Sequence, residues 1–219
     1  MGIGHVAVGI AFKKLDSKTN AAWFVAAALF ADLLLWVLIM VGTEQVIVPE
    51  DFVTNRYMRF VFPISHGVLA SFGWAIIIGL IGFGFFRNVR SAALIGLASL
   101  THLFLDWLVH VAPFQVIGSV TVEGLGLWKN IHLLLVVECL LTVVCLFLYL
   151  KSTSAASKLG RYGMIGFILV LMLVMFSGQL FAPMPETATQ IASSSMITLI
   201  AIVLVVLWLD RKRSSRPLS

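Results

Sequence analysis

Apolar residues form six long runs along the chain, separated by short polar segments. The runs lie at 21–41, 63–86, 91–112, 131–150, 162–182 and 191–209. Each has the length of about 20 residues that a helix needs to cross a bilayer. Residues 1–12 are also apolar but too few to cross, which predicts a re-entrant or interfacial helix. The pattern predicts an all-α fold, a polytopic membrane helix bundle with about six transmembrane helices and a short N-terminal helix.

The composition agrees with a chain that lies in lipid. Of its 219 residues, 60% are hydrophobic and only 11% are charged, and the mean hydropathy is +1.04. A soluble domain carries about 25% charged residues. We therefore expect a single integral membrane domain over 1–219, with the residues of a metal site in 1–112 and further helices with a basic tail in 113–219.

The distribution of basic residues predicts the orientation of the bundle. Of the 15 Lys and Arg residues, 12 fall before the first run, between the second and third, between the fourth and fifth, or after the sixth. These connections share one side of the membrane if all six runs cross it, and the positive-inside rule places that side in the cytoplasm. Both termini are therefore predicted to be cytoplasmic. The basic tail is interpreted as a topology signal, so no nucleic acid partner is predicted.

Ionisable side chains within the apolar runs are few, and they concentrate in the third run. The sequence THLFLDWLVH at 101–110 places His102, Asp106 and His110 four residues apart. In a helix these side chains share one face and span about 12 Å along the axis. Ionisable groups at membrane depth are costly and usually mark a functional site or face a bundle interior. The other candidates in or beside the apolar segments are His5, Asp32, His66, His132 and Glu138.

No Lys or Arg lies inside any of the six runs, so carboxylates there have no basic partner. Such carboxylates must be protonated, pair with a histidinium, or bind a metal ion. Histidine and carboxylate ligands together suit a divalent metal ion, with Zn²⁺ as the first candidate and Mn²⁺ or Fe²⁺ as alternatives. The same residues could instead form a proton-linked network or purely structural polar contacts.

Helical spacing limits how these ligands can be shared. His102 and His110 are too far apart along the axis to bind one ion together. Asp106 can bridge two ions with one histidine on each, as in two-metal hydrolytic sites. With a single ion, His102 and Asp106 form the better pair and His110 supports them. We interpret His132 as an interfacial residue, and Glu138 and His110 as the candidate catalytic groups.

The predicted depth of these residues in the membrane favours a pocket over a transport path across the membrane. With alternating helix directions, Asp32, His102, Asp106 and Glu138 fall near the midplane or in the outer half. The cluster is therefore expected to open outward. A carrier or channel would need polar groups that continue to the cytoplasmic face, and the sequence lacks them.

Four short motifs, taken in order, resemble a known family. They are Gly4-His5, Ala31-Asp32, Ser65-His66 and Thr101-His102-xxx-Asp106. They resemble the integral-membrane metal-dependent hydrolases that include the LexA-inducible inner-membrane hydrolases, a family distantly similar to the all-helical zinc-dependent phospholipase C. The resemblance covers the first half of the chain. It implies a bacterial-type inner membrane as the location, and a set of metal ligands consisting of His5, Asp32, His66, His102 and Asp106.

The chain departs from the family's pattern at two places. Family members often carry Asp-x-Asp-His where this chain has Asp32-Leu-Leu-Leu, and His-Arg-Gly-x-Thr-His where it has Phe-Pro-Ile-Ser-His66. The segment GLGLWKN at 124–130, together with Glu138, is similar to a subgroup of membrane proteins that shares this frame.

The expected function is that of a membrane-embedded metal-dependent hydrolase. The metal would activate water and polarise a phosphoryl or carbonyl oxygen, with Glu138 or Asp32 as the general base. A phosphoester or a small or lipid-linked molecule is the expected substrate, because the site opens into the outer half of the bilayer. The alternatives are a non-enzymatic metal-ion or proton carrier, and a haem-binding bundle in which His66 pairs with His102 or His110. The sequence leaves the oligomeric state open.

Overall fold

Helices account for most of the residues that the computed structural model describes. The described residues are 2–111, 113–155, 157–185 and 187–215. Their side chains are described too, except those of Asn55 and Ser215. Residue 1 of the predicted N-terminal helix, residue 112 of the third run and the end of the basic tail lie outside them. The helices are α1 (Gly2–Ala11), α2 (Ala21–Ala28), α3 (Phe30–Met40), α4 (Phe52–Asn55), α5 (Val68–Phe86), α6 (Val89–Val109), α7 (Ile131–Ser152), α8 (Lys158–Phe181) and α9 (Ala188–Asp210).

The long helices confirm the predicted membrane bundle. The five helices from α5 to α9 are each long and apolar enough to cross a membrane, and α2 and α3, which meet at a bend of 46°, make a sixth candidate if the pair is one span. By the length and composition of these helices the chain is a membrane protein. Which face of the membrane each end occupies stays a prediction from the charges.

Short strands, which the sequence did not predict, form three antiparallel pairs among the described residues. They are β1 (Gln45–Ile47) with β2 (Arg59–Val61), β3 (Phe114–Ile117) with β4 (Val120–Val122), and β5 (Thr153–Ala155) with β6 (Arg213–Ser215). The first two pairs lie at the end of the bundle where α5 begins and α6 ends, which we call the site end. The third pair lies at the opposite end.

The short helix α1 lies inside the bundle. Ile3, Val6 and Ile10 have no exposed surface. Its close approach to α2 depends on Gly9, because a Cβ at that position would lie 2.7 Å from the Cα atom of Val25. Of the two predicted placements, the re-entrant one therefore fits this burial, and the interfacial one does not.

The opposite end of the bundle is held together by a buried acid, Asp210. Its Oδ1 accepts a hydrogen bond from the Tyr149 hydroxyl at 2.8 Å, and its Oδ2 accepts one from the Ala21 amide at 3.0 Å. Lys13 Nζ lies 3.3 Å from Oδ2 of Asp210. Arg213 packs over the Tyr149 ring nearby. Basic residues from two connections thus share this end, as predicted, and we call it the basic end.

Candidate metal centre

Helix α6 positions the first two residues of the site. His102 and Asp106 are one turn apart and buried, and Nε2 of His102 lies 3.2 Å from Oδ2 of Asp106. His110, predicted to continue the helix, is instead its C-terminal cap with an extended backbone (φ −67°, ψ 142°). Its amide still donates to the Asp106 carbonyl, and its Nε2 donates to Oδ2 of Asp106 at 3.0 Å. The three residues that were predicted to share one helix face therefore meet at Asp106, although His110 lies beyond the end of the helix.

Two further predicted residues meet this pair from other elements. Asp32 comes from the first turn of α3, and His66 from the segment that precedes α5. Nε2 of His66 lies 3.0 Å from Nε2 of His102 and 3.4 Å from Oδ2 of Asp106. Oδ1 of Asp32 lies 3.7 Å from each Nε2 atom. One ligand atom from each of Asp32, His66, His102 and Asp106 lies within 4.8 Å of all the others, and we call these residues the four-residue cluster.

The bend between α2 and α3 supports His102. The turn at Leu29 leaves the Ala28 carbonyl at the end of α2. This carbonyl accepts a hydrogen bond from Nδ1 of His102 at 2.7 Å. At membrane depth a backbone carbonyl at a helix break needs such a partner, because lipid offers none. The break in the first span is therefore tied to the site.

A buried glutamate supports His66. The sequence predicted a helix from residue 63, but α5 begins only at Val68, and a turn held by Glu44 precedes it. Glu44 is 2% exposed and accepts hydrogen bonds from the amides of Ile64 and Ser65 and from the Ser65 hydroxyl. Glu44 was not predicted as a site residue, because a single Glu in a polar connection forms no pattern.

These hydrogen bonds fix which nitrogen of each imidazole carries the proton. The Ser65 hydroxyl donates its proton to Oε2 of Glu44 at 2.6 Å, so it must accept from Nδ1 of His66 at 2.7 Å. Nδ1 of His102 donates to a carbonyl, which can only accept. In the neutral rings both Nε2 atoms therefore present lone pairs to one another. Hydrogen bonds of this kind orient the histidine ligands of metal sites.

The converging lone pairs fit a divalent cation. Two Nε2 lone pairs at 3.0 Å repel unless a positive charge lies between them. Ligands bound to tetrahedral Zn²⁺ at about 2.0–2.1 Å lie roughly 3.3 Å from one another, close to the separations in the four-residue cluster. Oδ2 of Asp106 and Oδ1 of Asp32 lie 3.4 and 3.7 Å from Nε2 of His66, so the two carboxylates favour a positive charge at this point.

His5 joins the site through Asp106. Its Nε2 donates to Oδ1 of Asp106 at 2.9 Å, and its ring stacks on His102 with centroids 3.8 Å apart. The resemblance implied that His5 is a metal ligand. The structure places it in contact with Asp106, outside the four-residue cluster, where it holds the carboxylate that the other histidines face.

Aromatic rings surround His110 at the site end. The rings of Phe60, Phe62, Phe114 and Trp128 lie with their centroids 4.8–5.9 Å from the imidazole. The contact between His110 and Oδ2 of Asp106 favours the one-ion arrangement, in which His110 supports the ligand pair.

Glu138 and His132 occupy different surroundings on α7. Glu138 has no exposed surface and faces Gln179, whose Nε2 lies 3.5 Å from Oε2 of Glu138. It is not among the described residues that line the cavity beside the cluster. His132 is exposed at the start of α7, which agrees with an interfacial residue.

A cavity of about 300 Å³ opens beside the cluster. Its wall includes residues that sequence analysis did not identify, three hydroxyl side chains of α9 among them. It is lined by Gly2, Asp32, Leu35, Trp36, Met58, Phe60, His66, Asp106, His110, Trp128, Met175, Ser194, Ser195, Thr198 and Leu199. The candidate metal centre is therefore accessible to a small ligand.

Comparison of the chain with protein-family models, with curated proteins and with solved structures gives no match. The family resemblance therefore rests on the four motifs alone.

Replacement of Ser65 tests the support of His66. A Ser65→Ala variant removes the hydroxyl that links Glu44 to Nδ1 of His66, and we expect zinc affinity to fall by about 10–100-fold. Competition with a chromogenic chelator measures the affinity. Ser71→Ala is the matched control, because the Ser71 hydroxyl donates to the Gly67 carbonyl at the start of α5. Equal zinc affinity in the Ser65→Ala variant and the wild type would show that Ser65 does not support His66 in zinc binding.

Proposed function

We propose that the protein is a membrane-embedded metal-dependent hydrolase that acts on a small or lipid-linked ester. The observation that carries this proposal is the convergence of two imidazole lone pairs and two carboxylates beside a cavity of about 300 Å³. The resemblance to membrane metal-dependent hydrolases supports the same class. The expected location is a bacterial-type inner membrane, with both termini in the cytoplasm.

The residues of the chain divide into those that would hold the metal and those that would support the ligands. His66, His102 and Asp106 would hold the ion, with Asp32 at the more open side. A bound divalent ion lowers the pKa of its water and polarises a carbonyl or phosphoryl oxygen. His5 and His110 donate to the two oxygens of Asp106 and keep its carboxylate oriented.

Asp32 is the better candidate for the general base. Its side chain is 25% exposed, whereas those of His66, His102 and Asp106 are 2% exposed, and it lines the cavity. A general base must reach the water or substrate from which it takes a proton. Glu138 lacks that access in the described part of the chain, which leaves Asp32 for this role.

The structure gives less support to a carrier of metal ions or protons. Between the cluster and the basic end, the interior contains the apolar side chains of Val6, Ile10, Val25 and Ile95, and its buried polar side chains there include the uncharged hydroxyls of Ser99 and Thr142. A relay for metal ions or protons usually needs ionisable groups at this depth. We therefore rank the carrier second.

Hydrolysis by the zinc-loaded protein tests the proposal. The substrates are p-nitrophenyl esters of a fatty acid, of phosphate and of a phosphodiester, presented in detergent micelles. We expect zinc-dependent release of p-nitrophenol from at least one ester, and a loss of about 10²–10⁴-fold in an Asp32→Asn variant that still binds zinc. Binding of zinc without hydrolysis of any ester, combined with zinc uptake into liposomes, would replace the hydrolase with the carrier.

A further inference from the structure

The cavity has a second wall that the proposed chemistry does not use. One part of its lining is the candidate metal centre. Another part belongs to α8 and α9 and consists of Met175, Ser194, Ser195, Thr198 and Leu199. Three of these five side chains are hydroxyls, in a helix that is otherwise apolar enough to cross a membrane.

The hydroxyl wall extends to the surface of the bundle. Ser194 and Thr198 line the cavity and are also exposed. They lie six and ten residues after Ala188, which places them about 9 and 15 Å along the axis of α9. The neighbouring Ile197 and Ile200 are 69% and 47% exposed. The cavity therefore opens sideways beside α9, at a depth where the surroundings are hydrocarbon.

The hydroxyls at this opening offer acceptors to a ligand. Ser194 Oγ donates to the Gln190 carbonyl at 2.9 Å, and Thr198 Oγ1 donates to the Ser194 carbonyl at 2.8 Å. Because each proton is already used within the helix, the oxygen lone pairs remain to accept hydrogen bonds. A polar group that carries donors can bind there without breaking the bonds within α9.

The volume of the cavity limits what can enter it. About 300 Å³ is at the lower end of the range for ligand pockets, and it suits a polar head group rather than a whole lipid. A hydrocarbon chain attached to that group would have to leave through the opening at Ser194 and Thr198, where it meets the bilayer.

We propose that a lipid with hydrogen-bond donors in its polar end enters the cavity laterally at Ser194 and Thr198. Its polar end lies toward the four-residue cluster, and its hydrocarbon chain stays in the bilayer. This inference rests on the proposed function, which supplies the reason for a lipid to bring a reactive bond to the cluster.

Photo-crosslinking tests this route without any measurement of activity. The zinc-loaded full chain is placed in phosphatidylcholine vesicles that contain phosphatidylethanolamine with a diazirine either beside the glycerol or at the end of the acyl chain. We expect the glycerol-proximal probe to label the segment 194–198 about tenfold more than the chain-end probe. A Ser194→Phe, Thr198→Phe variant should lower this labelling about tenfold, and Ile197→Phe, an exposed neighbour outside the cavity lining, should not.

Two outcomes would overturn the lateral route. Equal labelling by the two probes, or labelling that the Phe substitutions do not change, would identify ordinary annular lipid at α9. The zinc content of the same samples separates the two proposals. A chain that binds zinc but is not labelled in this way contradicts only the lateral route. A chain that is labelled but binds no zinc contradicts only the hydrolase.

Discussion

An Asp106→Ala variant is expected to lose the metal. In detergent-purified protein, elemental mass spectrometry should find about one zinc per wild-type chain and at least tenfold less in the variant. The reason is the position of Asp106 in the site. Its two oxygens lie 2.9–3.4 Å from Nε2 atoms of His5, His66, His102 and His110, so one substitution removes a ligand and the group that orients the histidines.

The control for this variant is Glu123→Ala. Glu123 is exposed at the site end, and its backbone carbonyl, which the substitution keeps, accepts a hydrogen bond from the indole of Trp107. We expect its zinc content to equal that of the wild type. The same zinc content in Asp106→Ala would contradict the assignment of the metal to this carboxylate.

The largest loss of stability is expected from Asp210→Ala. The substitution leaves Lys13 buried at 6% exposure without its carboxylate, and it removes the acceptor of Tyr149 and Ala21. Breaking a buried ion pair by removing one partner costs about 3–5 kcal/mol in the free energy of unfolding. Unfolding in mixed micelles with increasing SDS measures this loss.

Two further variants serve as comparisons for the loss of stability in Asp210→Ala. Glu50→Ala changes an exposed acid and should leave the unfolding free energy within about 0.5 kcal/mol of the wild type. A Lys13→Met, Asp210→Leu double variant removes both charges, and we expect it to be more stable than Asp210→Ala alone, because no charge remains buried without a partner. A loss below about 1 kcal/mol in Asp210→Ala would show that this network does not hold the basic end together.

The sequence was sufficient for the bundle because apolar length and charge distribution act over whole segments. The members of the four-residue cluster were all among the five metal ligands that the resemblance implied, with His5 as the fifth. His102 and Asp106 could also be paired from their spacing, because a shared helix face does not depend on tertiary contacts. The turn around His66 was predicted as helix, because nothing local shows that Glu44, 20 residues earlier in the chain, holds the amides of Ile64 and Ser65.

Other parts of the site depend on contacts that a sequence pattern does not contain. The bend at Leu29 lies in a continuous apolar run and becomes understandable only when the Ala28 carbonyl meets His102. In the sequence, Ser194 and Thr198 resemble the ordinary small polar residues of a transmembrane helix. Only the structure shows that they line a cavity. The short strands have too few residues for an alternating pattern to stand out.

We propose that His66 and His102 bind a divalent metal ion through Nε2, together with Asp106. X-ray absorption at the zinc edge of the zinc-loaded chain tests it most directly. We expect a shell of nitrogen and oxygen ligands at about 2.0–2.2 Å, with the outer scattering of two imidazoles that disappears in a His66→Ala, His102→Ala variant. A chain that binds no zinc, or whose zinc spectrum is the same in that variant, would contradict it and leave a shared proton as the charge between the two rings.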